Sequence, residues 1–139
     1  MGVTGLLTKL KPIQKHITLD QLYSQRLAID GYSWLHKATI GCSYELVMNL
    51  NTNAYLKYFI KRIDMLKRYN IKPYFVFDGA KINVKEGIES CRLERRNINK
   101  QRGVSLWETG KHLEAIECFK KSVDVTSQMA KCIIDYCRS

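Results

Sequence analysis

Two short apolar runs stand out against longer stretches with helical spacing. Arg26-Leu27-Ala28-Ile29-Asp30-Gly31 and Lys72-Pro73-Tyr74-Phe75-Val76-Phe77-Asp78-Gly79 are each bounded by turn residues and each end in Asp-Gly. Runs of this kind are expected of fully buried parallel strands. Between them, residues 32–42 and 53–69 carry helical spacing. In the second, Tyr55, Phe59, Ile63 and Leu66 recur at steps of four, four and three. Asn51-Thr52-Asn53 supplies N-cap candidates and Asn70 a stop. Strand, helical crossover and strand predict a β-α-β unit, right-handed by default.

Beyond Gly79 the pattern changes. Residues 84–107 are rich in Arg, Lys, Glu and Asn, predicting a long solvated helix with an interruption near Gly103. Gly110 and Lys111 break into a second helix over 113–123, and Thr126 and Ser127 cap a third over 129–137. Leu106 to Phe119 resembles half of a tetratricopeptide unit, but no second copy occurs, so a local helical hairpin is expected. At the other end, an amphipathic opening with Leu6, Leu7 and Leu10 packing into the core explains those leucines as well as a functional role does. The chain stops at Arg138-Ser139 without a helix-terminating signal, which suggests a fragment or truncated product.

Composition narrows the classes. At 139 residues and 45% hydrophobic, the chain suits one globular domain and is too apolar for a disordered one. No apolar run reaches the roughly 18 residues of a membrane span, so no membrane partner is expected. Five cysteines without CxxC spacing, and no secretory pattern before them, predict reduced thiols and no zinc site. The formal charge of +10 favours a polyanionic partner, because each neutralised phosphate releases condensed counterions. Nucleic acid fits best.

The two strand-end acids are the centre of the candidate chemistry. Ligands of open parallel sheets bind at the carboxyl ends of the strands. Asp30 and Asp78, each at such an end, would aim two carboxylates into one crevice. Paired carboxylates facing phosphate repel it unless Mg²⁺ or Mn²⁺ bridges them. Turn chemistry alone explains each Asp-Gly separately. Lys85 and Arg92, seven residues apart, project from nearly one helix face where a phosphate can meet both. Arg95, Arg96, Lys100 and Arg102 continue the positive surface. A solvated helix in which Glu89 pairs with Lys85 and Arg92 explains the same spacing. Tyr32 and His36, four apart, share a face beside Asp30, while Trp34 suits a core position better than a base-stacking one. Gly2 and Gly5 let the N-terminal backbone pass close to another surface.

Together these motifs resemble the N-terminal region of the flap endonuclease/XPG nuclease family. The resemblance runs through Met1-Gly2-Val3-Thr4-Gly5-Leu6-Leu7, through residues 27–36 and through residues 72–79. It is strongest toward the family's exonuclease 1 branch, in Trp34-Leu35-His36-Lys37, Arg92-Leu93-Glu94-Arg95-Arg96 and Glu114-Ala115-Ile116-Glu117-Cys118-Phe119. It implies an α/β fold with an incomplete PIN-like (Rossmann-like) parallel sheet over 1–82 and a C-terminal helical arch or hairpin over 83–139. It further implies a nuclear, Mg²⁺-dependent 5′ nuclease acting on DNA with 5′ ends, flaps or nicks in repair or recombination. Mismatch-repair or replication proteins are the implied partners. Asp30 and Asp78 match metal-site acids, with two Mg²⁺ in the complete enzyme. Lys85 and Arg92 match the basic pair that engages the scissile phosphate, and Gly2 the residue placed near the active site. Tyr32 and His36 match positions near the DNA junction, and Lys121 a basic arch position. Arg95 and Arg96 belong with these as DNA-binding candidates.

The family's domain continues into an internal region with further acidic ligands, and this chain ends before it. Two carboxylates make a thin site for two ions, and a half-sheet leaves an unpaired edge and exposed apolar faces. The isolated chain is therefore expected to be nearly inactive and marginally stable. The alternative from a different class is a catalytically incomplete, basic nucleic-acid-binding module.

Overall fold

The computed structural model describes residues 4–79 and 86–138. A short helix α1 (Leu6–Leu10) precedes strand β1 (Arg26–Asp30), helices α2 (Gly31–Ile40), α3 (Ser43–Val47) and α4 (Ala54–Arg68), and strand β2 (Lys72–Val76). Three helices follow: α5 (Glu86–Glu108), α6 (His112–Ser122) and α7 (Ser127–Arg138). Strands β1 and β2 pair in parallel, with Arg26 opposite Lys72 and Asp30 opposite Val76. The expected strand–crossover–strand order is present, within a fold that is otherwise helical.

Helix α4 illustrates why the crossover forms. Its four apolar positions, Tyr55, Phe59, Ile63 and Leu66, are all buried. Each such burial contributes about 1.5–3 kcal/mol. The Thr52 hydroxyl accepting the Ala54 N–H at 3.2 Å contributes about 1 kcal/mol, so packing dominates capping. The helix ends where Asn70 turns to a positive φ of 53° and donates its side-chain Nδ2–H to Ser24 Oγ at 2.7 Å. Asparagine tolerates that left-handed conformation better than most residues.

Two apolar cores form among the described residues. The first joins α2, α4 and α7 through Leu35, Ala38, Cys42, Tyr55, Phe59, Met129, Ala130 and Ile133. Trp34 belongs to it as expected, its ring edge-on to Phe59 at 5.8 Å and Phe75 at 5.5 Å. The second joins α3 to the α5–α6 hairpin through Val47, Ala115 and Phe119. There Trp107 stacks on Tyr44 with ring centroids 4.3 Å apart. The connection 123–126 serves both, because Val123 packs on the second core and Val125 on the first.

Three expectations require correction. The strands are half-buried rather than fully buried: Leu27, Ile29, Pro73 and Phe75 are partly covered, whereas Tyr74 and Val76 are 54% and 58% exposed. Helices α2 and α4 pack on β2, and no described element covers the opposite face. Leu6, Leu7 and Leu10 do not enter the core; Leu7 is 74% exposed. Their helix has five residues and packs on the turn that follows it, which contains Pro12. Gly103 does not interrupt α5, which is continuous from Glu86 to Glu108. A Cβ at Gly103 would lie 2.6 Å from the Phe119 ring, so the missing side chain lets α6 close against α5. The cost of a glycine within a helix, about 1 kcal/mol, is offset by the burial of Phe119.

Cys42 couples the first core to pH. Its thiol, buried at the end of α2, is pushed above its ordinary range by burial and secondarily by the Glu45 charge. A raised pKa favours the protonated native state, so the associated stability is intact below the unfolded thiol value, about 8.5, and is lost above it. Urea unfolding midpoints are expected to fall as the pH rises above about 8.5, and Cys42→Ala to flatten that fall whatever its effect at neutral pH. An equally steep fall in the variant would contradict this.

Candidate functional site

The parallel register brings the two strand-end acids to one end of the sheet. Asp30 is the last residue of β1, opposite Val76, and Asp78 lies two residues beyond Val76. Two strand steps correspond to about 7 Å along the chain. Both acids are exposed. Asp30 is also the N-cap of α2: its Oδ1 accepts the Ser33 backbone N–H at 3.0 Å. That bond fixes the carboxylate at the helix N-terminus, where the α2 dipole favours its negative charge.

The two Asp-Gly pairs are not equivalent. Gly31 is the buried first residue of α2, and a Cβ there would lie 2.5 Å from two atoms of the Phe77 ring. The ring occupies the space that any other residue's side chain would need. Tyr32 closes the contact from the next position, edge-on to Phe77 at 5.5 Å and 83°. Gly79 has open space around it. Turn chemistry therefore does not explain Gly31, whose role is steric: it admits Phe77, the neighbour of Asp78, against the neighbour of Asp30. Sequence reasoning missed this lock, and its signal was Phe77 standing directly before Asp78.

The remaining candidates divide by location. Tyr32 is half-buried against Phe77, with exposed His36 one turn further along α2. Arg92 and Arg95 are exposed on α5, and Lys121 is exposed on α6. Arg96 is turned inward: its guanidinium lies 3.1 Å from Asp124 Oδ1, and its Nε is buried without a hydrogen-bond partner among the described residues. Gly2 and Lys85 lie outside the described residues.

By donor type, Asp30 and Asp78 suit a hard divalent cation such as Mg²⁺, which takes one or two carboxylates and keeps several waters. Among the described residues no group of three or more His, Cys, Asp or Glu gathers as a metal cluster. The donor chemistry of the pair suits part of such a site, and two carboxylates alone do not complete one. No helix among the described residues is long and apolar enough to cross a membrane.

Fold and site together define a parallel α/β unit with two acids at the carboxyl end of its strands and a basic helical hairpin beyond it. Residues 1–99 match the XPG N-terminal domain, and the chain belongs to that family. It is 53% identical over 138 residues to DNA damage-inducible protein DIN7 of Saccharomyces cerevisiae, covering 99% of this chain and 32% of that protein. It is 49% identical over 138 residues to exodeoxyribonuclease 1 of the same yeast, covering 99% of this chain and 20% of that protein. Identity to exonuclease 1 of Danio rerio is 38% over 139 residues, all of this chain and 17% of that protein. The resemblance to the exonuclease 1 branch thus extends along the whole chain, which spans about a third or less of each of these relatives.

Gly31→Ala tests the lock. It is expected to destabilise the chain by about 1–3 kcal/mol through overpacking, lowering Tm by several degrees. Phe77→Leu in the Gly31→Ala background is expected to recover part of the loss. A Gly31→Ala melting curve unchanged from wild type would contradict the contact.

Proposed function

We propose that this chain is the N-terminal part of a PIN-like, structure-specific 5′ nuclease that hydrolyses DNA phosphodiester bonds at 5′ ends or 5′ flaps. The observation that carries the proposal is the juxtaposition of Asp30 and Asp78 at one end of a parallel pair, within a chain similar to exonuclease 1 along its whole length. In this reading the two acids hold Mg²⁺ together with further carboxylates outside the chain, in an internal nuclease region that residues 83–139 lead into. When bound, the metal lowers the pKa of an attacking water and stabilises the leaving oxygen.

The chain's own residues bind and orient the substrate. Arg92 on α5, with Lys85 seven residues before it, neutralises the phosphate nearest the acids. Arg95 and Lys121 extend that positive surface along the hairpin, which acts as an arch over the 5′ strand. Tyr32 and His36 line the neighbouring face of α2, where the duplex bends and its terminal nucleotides separate, and Gly2 lies close to the reacting end. The likeness to exodeoxyribonuclease 1 and to a DNA damage-inducible relative supports a role in DNA repair, and the proposal extends this to the nucleus and to mismatch-repair or replication partners.

A second reading is supported by the lack of a third acid beside the pair among the described residues. By itself the chain is then a basic DNA-binding module without hydrolysis. A chimera separates the two: the 138 aligned residues of this chain replace the matching segment of the yeast exodeoxyribonuclease 1. The nuclease reading expects Mg²⁺-dependent cleavage of a 5′-flap duplex, abolished by Asp30→Asn, which keeps the N-cap while removing the charge. A folded chimera that binds the duplex without cutting it would leave the binding module as the better description. The isolated chain is expected to bind the same duplex with little cleavage, and Arg92→Ala to lower its salt slope by about 1.

A further inference from the structure

Arg96 sits on the packed stripe of α5 rather than on its outer surface. The positions of that helix turned toward the body include Arg96, Asn99, Gly103 and Trp107, at steps of three, four and four. Arg95, about 100° around the helix, is exposed. The partner of Arg96 is Asp124, in the connection that touches both cores. On either side of Asp124, Val123 packs on the α3–hairpin core and Val125 on the α2–α4–α7 core. Two residues on, the Thr126 hydroxyl caps α7 by accepting the Met129 N–H at 3.3 Å. A cleft of about 400 Å³ opens beside the pair, bounded by α3, α5 and this connection.

We infer that Arg96 is a positioning residue that pins α5 to the joint between the two cores through Asp124, and so sets where the phosphate-binding face of α5 is carried. Arg92 lies one turn before Arg96 on the same side of the helix, so holding Arg96 fixes the direction in which Arg92 projects. The Asp124 carboxylate already neutralises the guanidinium at 3.1 Å, and a DNA phosphate in its place would have to displace that acid. The competing role, a direct phosphate contact by Arg96, makes the opposite prediction for Asp124. Removing the acid would free Arg96 and delete a negative charge, strengthening DNA binding. For a pinning pair, removing the acid loosens α5 and weakens binding.

Only the DNA measurement in this test rests on the proposed function; the other concerns the helix alone. Amide hydrogen exchange of α5 would be measured in the 139-residue chain for wild type, Arg96→Gln, Asp124→Asn and the exchanged pair Arg96→Asp with Asp124→Arg. Because Asp124 is largely exposed, each single variant is expected to fold and to exchange about fivefold faster along the α5 amides up to Arg96. The exchanged pair is expected to recover part of the protection. Anisotropy with a labelled 5′-flap duplex is expected to show weaker binding for Asp124→Asn. Unchanged α5 exchange in Asp124→Asn, or tighter DNA binding by that variant, would overturn the inference. If the wild-type chain binds no DNA, the proposed function fails and the exchange measurement alone decides the role of Arg96.

Discussion

The candidate site depends on the Phe77 ring filling the space where Gly31 has no side chain. Parallel pairing by itself aligns β1 with β2, but Asp78 lies beyond the last paired residue. Its position is therefore set by how the chain leaves β2, and Phe77 fixes that departure by closing on Gly31 and Tyr32. The same Gly31 opens α2, whose N-terminus Asp30 caps. One close contact thus relates a helix start, a strand end and both carboxylates.

The rest of the molecule carries this arrangement and attaches the basic hairpin to it. The first core holds α2 and α4 against the sheet through Trp34, Phe59 and Phe75, so the helix that bears Asp30 at its start cannot move independently of β2. The second core holds α5 and α6 together where Gly103 meets Phe119, and fastens both to α3 through Tyr44 and Trp107. Between the cores, a four-residue connection carries Asp124. The hairpin is thus attached at α3 and at this connection, with Arg92, Arg95 and Lys121 exposed to solvent.

Most of this architecture was legible in the sequence where a single element decides its own fate. The spacing of Tyr55, Phe59, Ile63 and Leu66 is a property of one helix, and all four are buried. The hairpin, the cap at Thr126 and the core placement of Trp34 were legible for the same reason. Burial of the strands was not, because it depends on what covers each face of the sheet, and α2 and α4 supply one layer. The leucines of α1 match a packing helix in pattern alone; pattern does not supply a surface to pack on. Gly103 illustrates the general difficulty: the same residue marks a break or a close approach, and a distant Phe119 decides which. At the site, the residue types and strand-end positions were legible. The Phe77–Gly31 lock and the Asp124 partner of Arg96 are tertiary contacts without sequence spacing.

If Asp30 and Asp78 share one hard-cation site as proposed, the same ion reaches both strand ends. Paramagnetic broadening of backbone amides by Mn²⁺ tests it directly in the 139-residue chain, since Mn²⁺ shares the oxygen-ligand preference of Mg²⁺. We expect the amides around Asp30–Gly31 and Asp78–Gly79 to broaden together at the same Mn²⁺ concentration, and both sets to sharpen again in Asp30→Asn. Broadening around one acid alone would contradict a shared site.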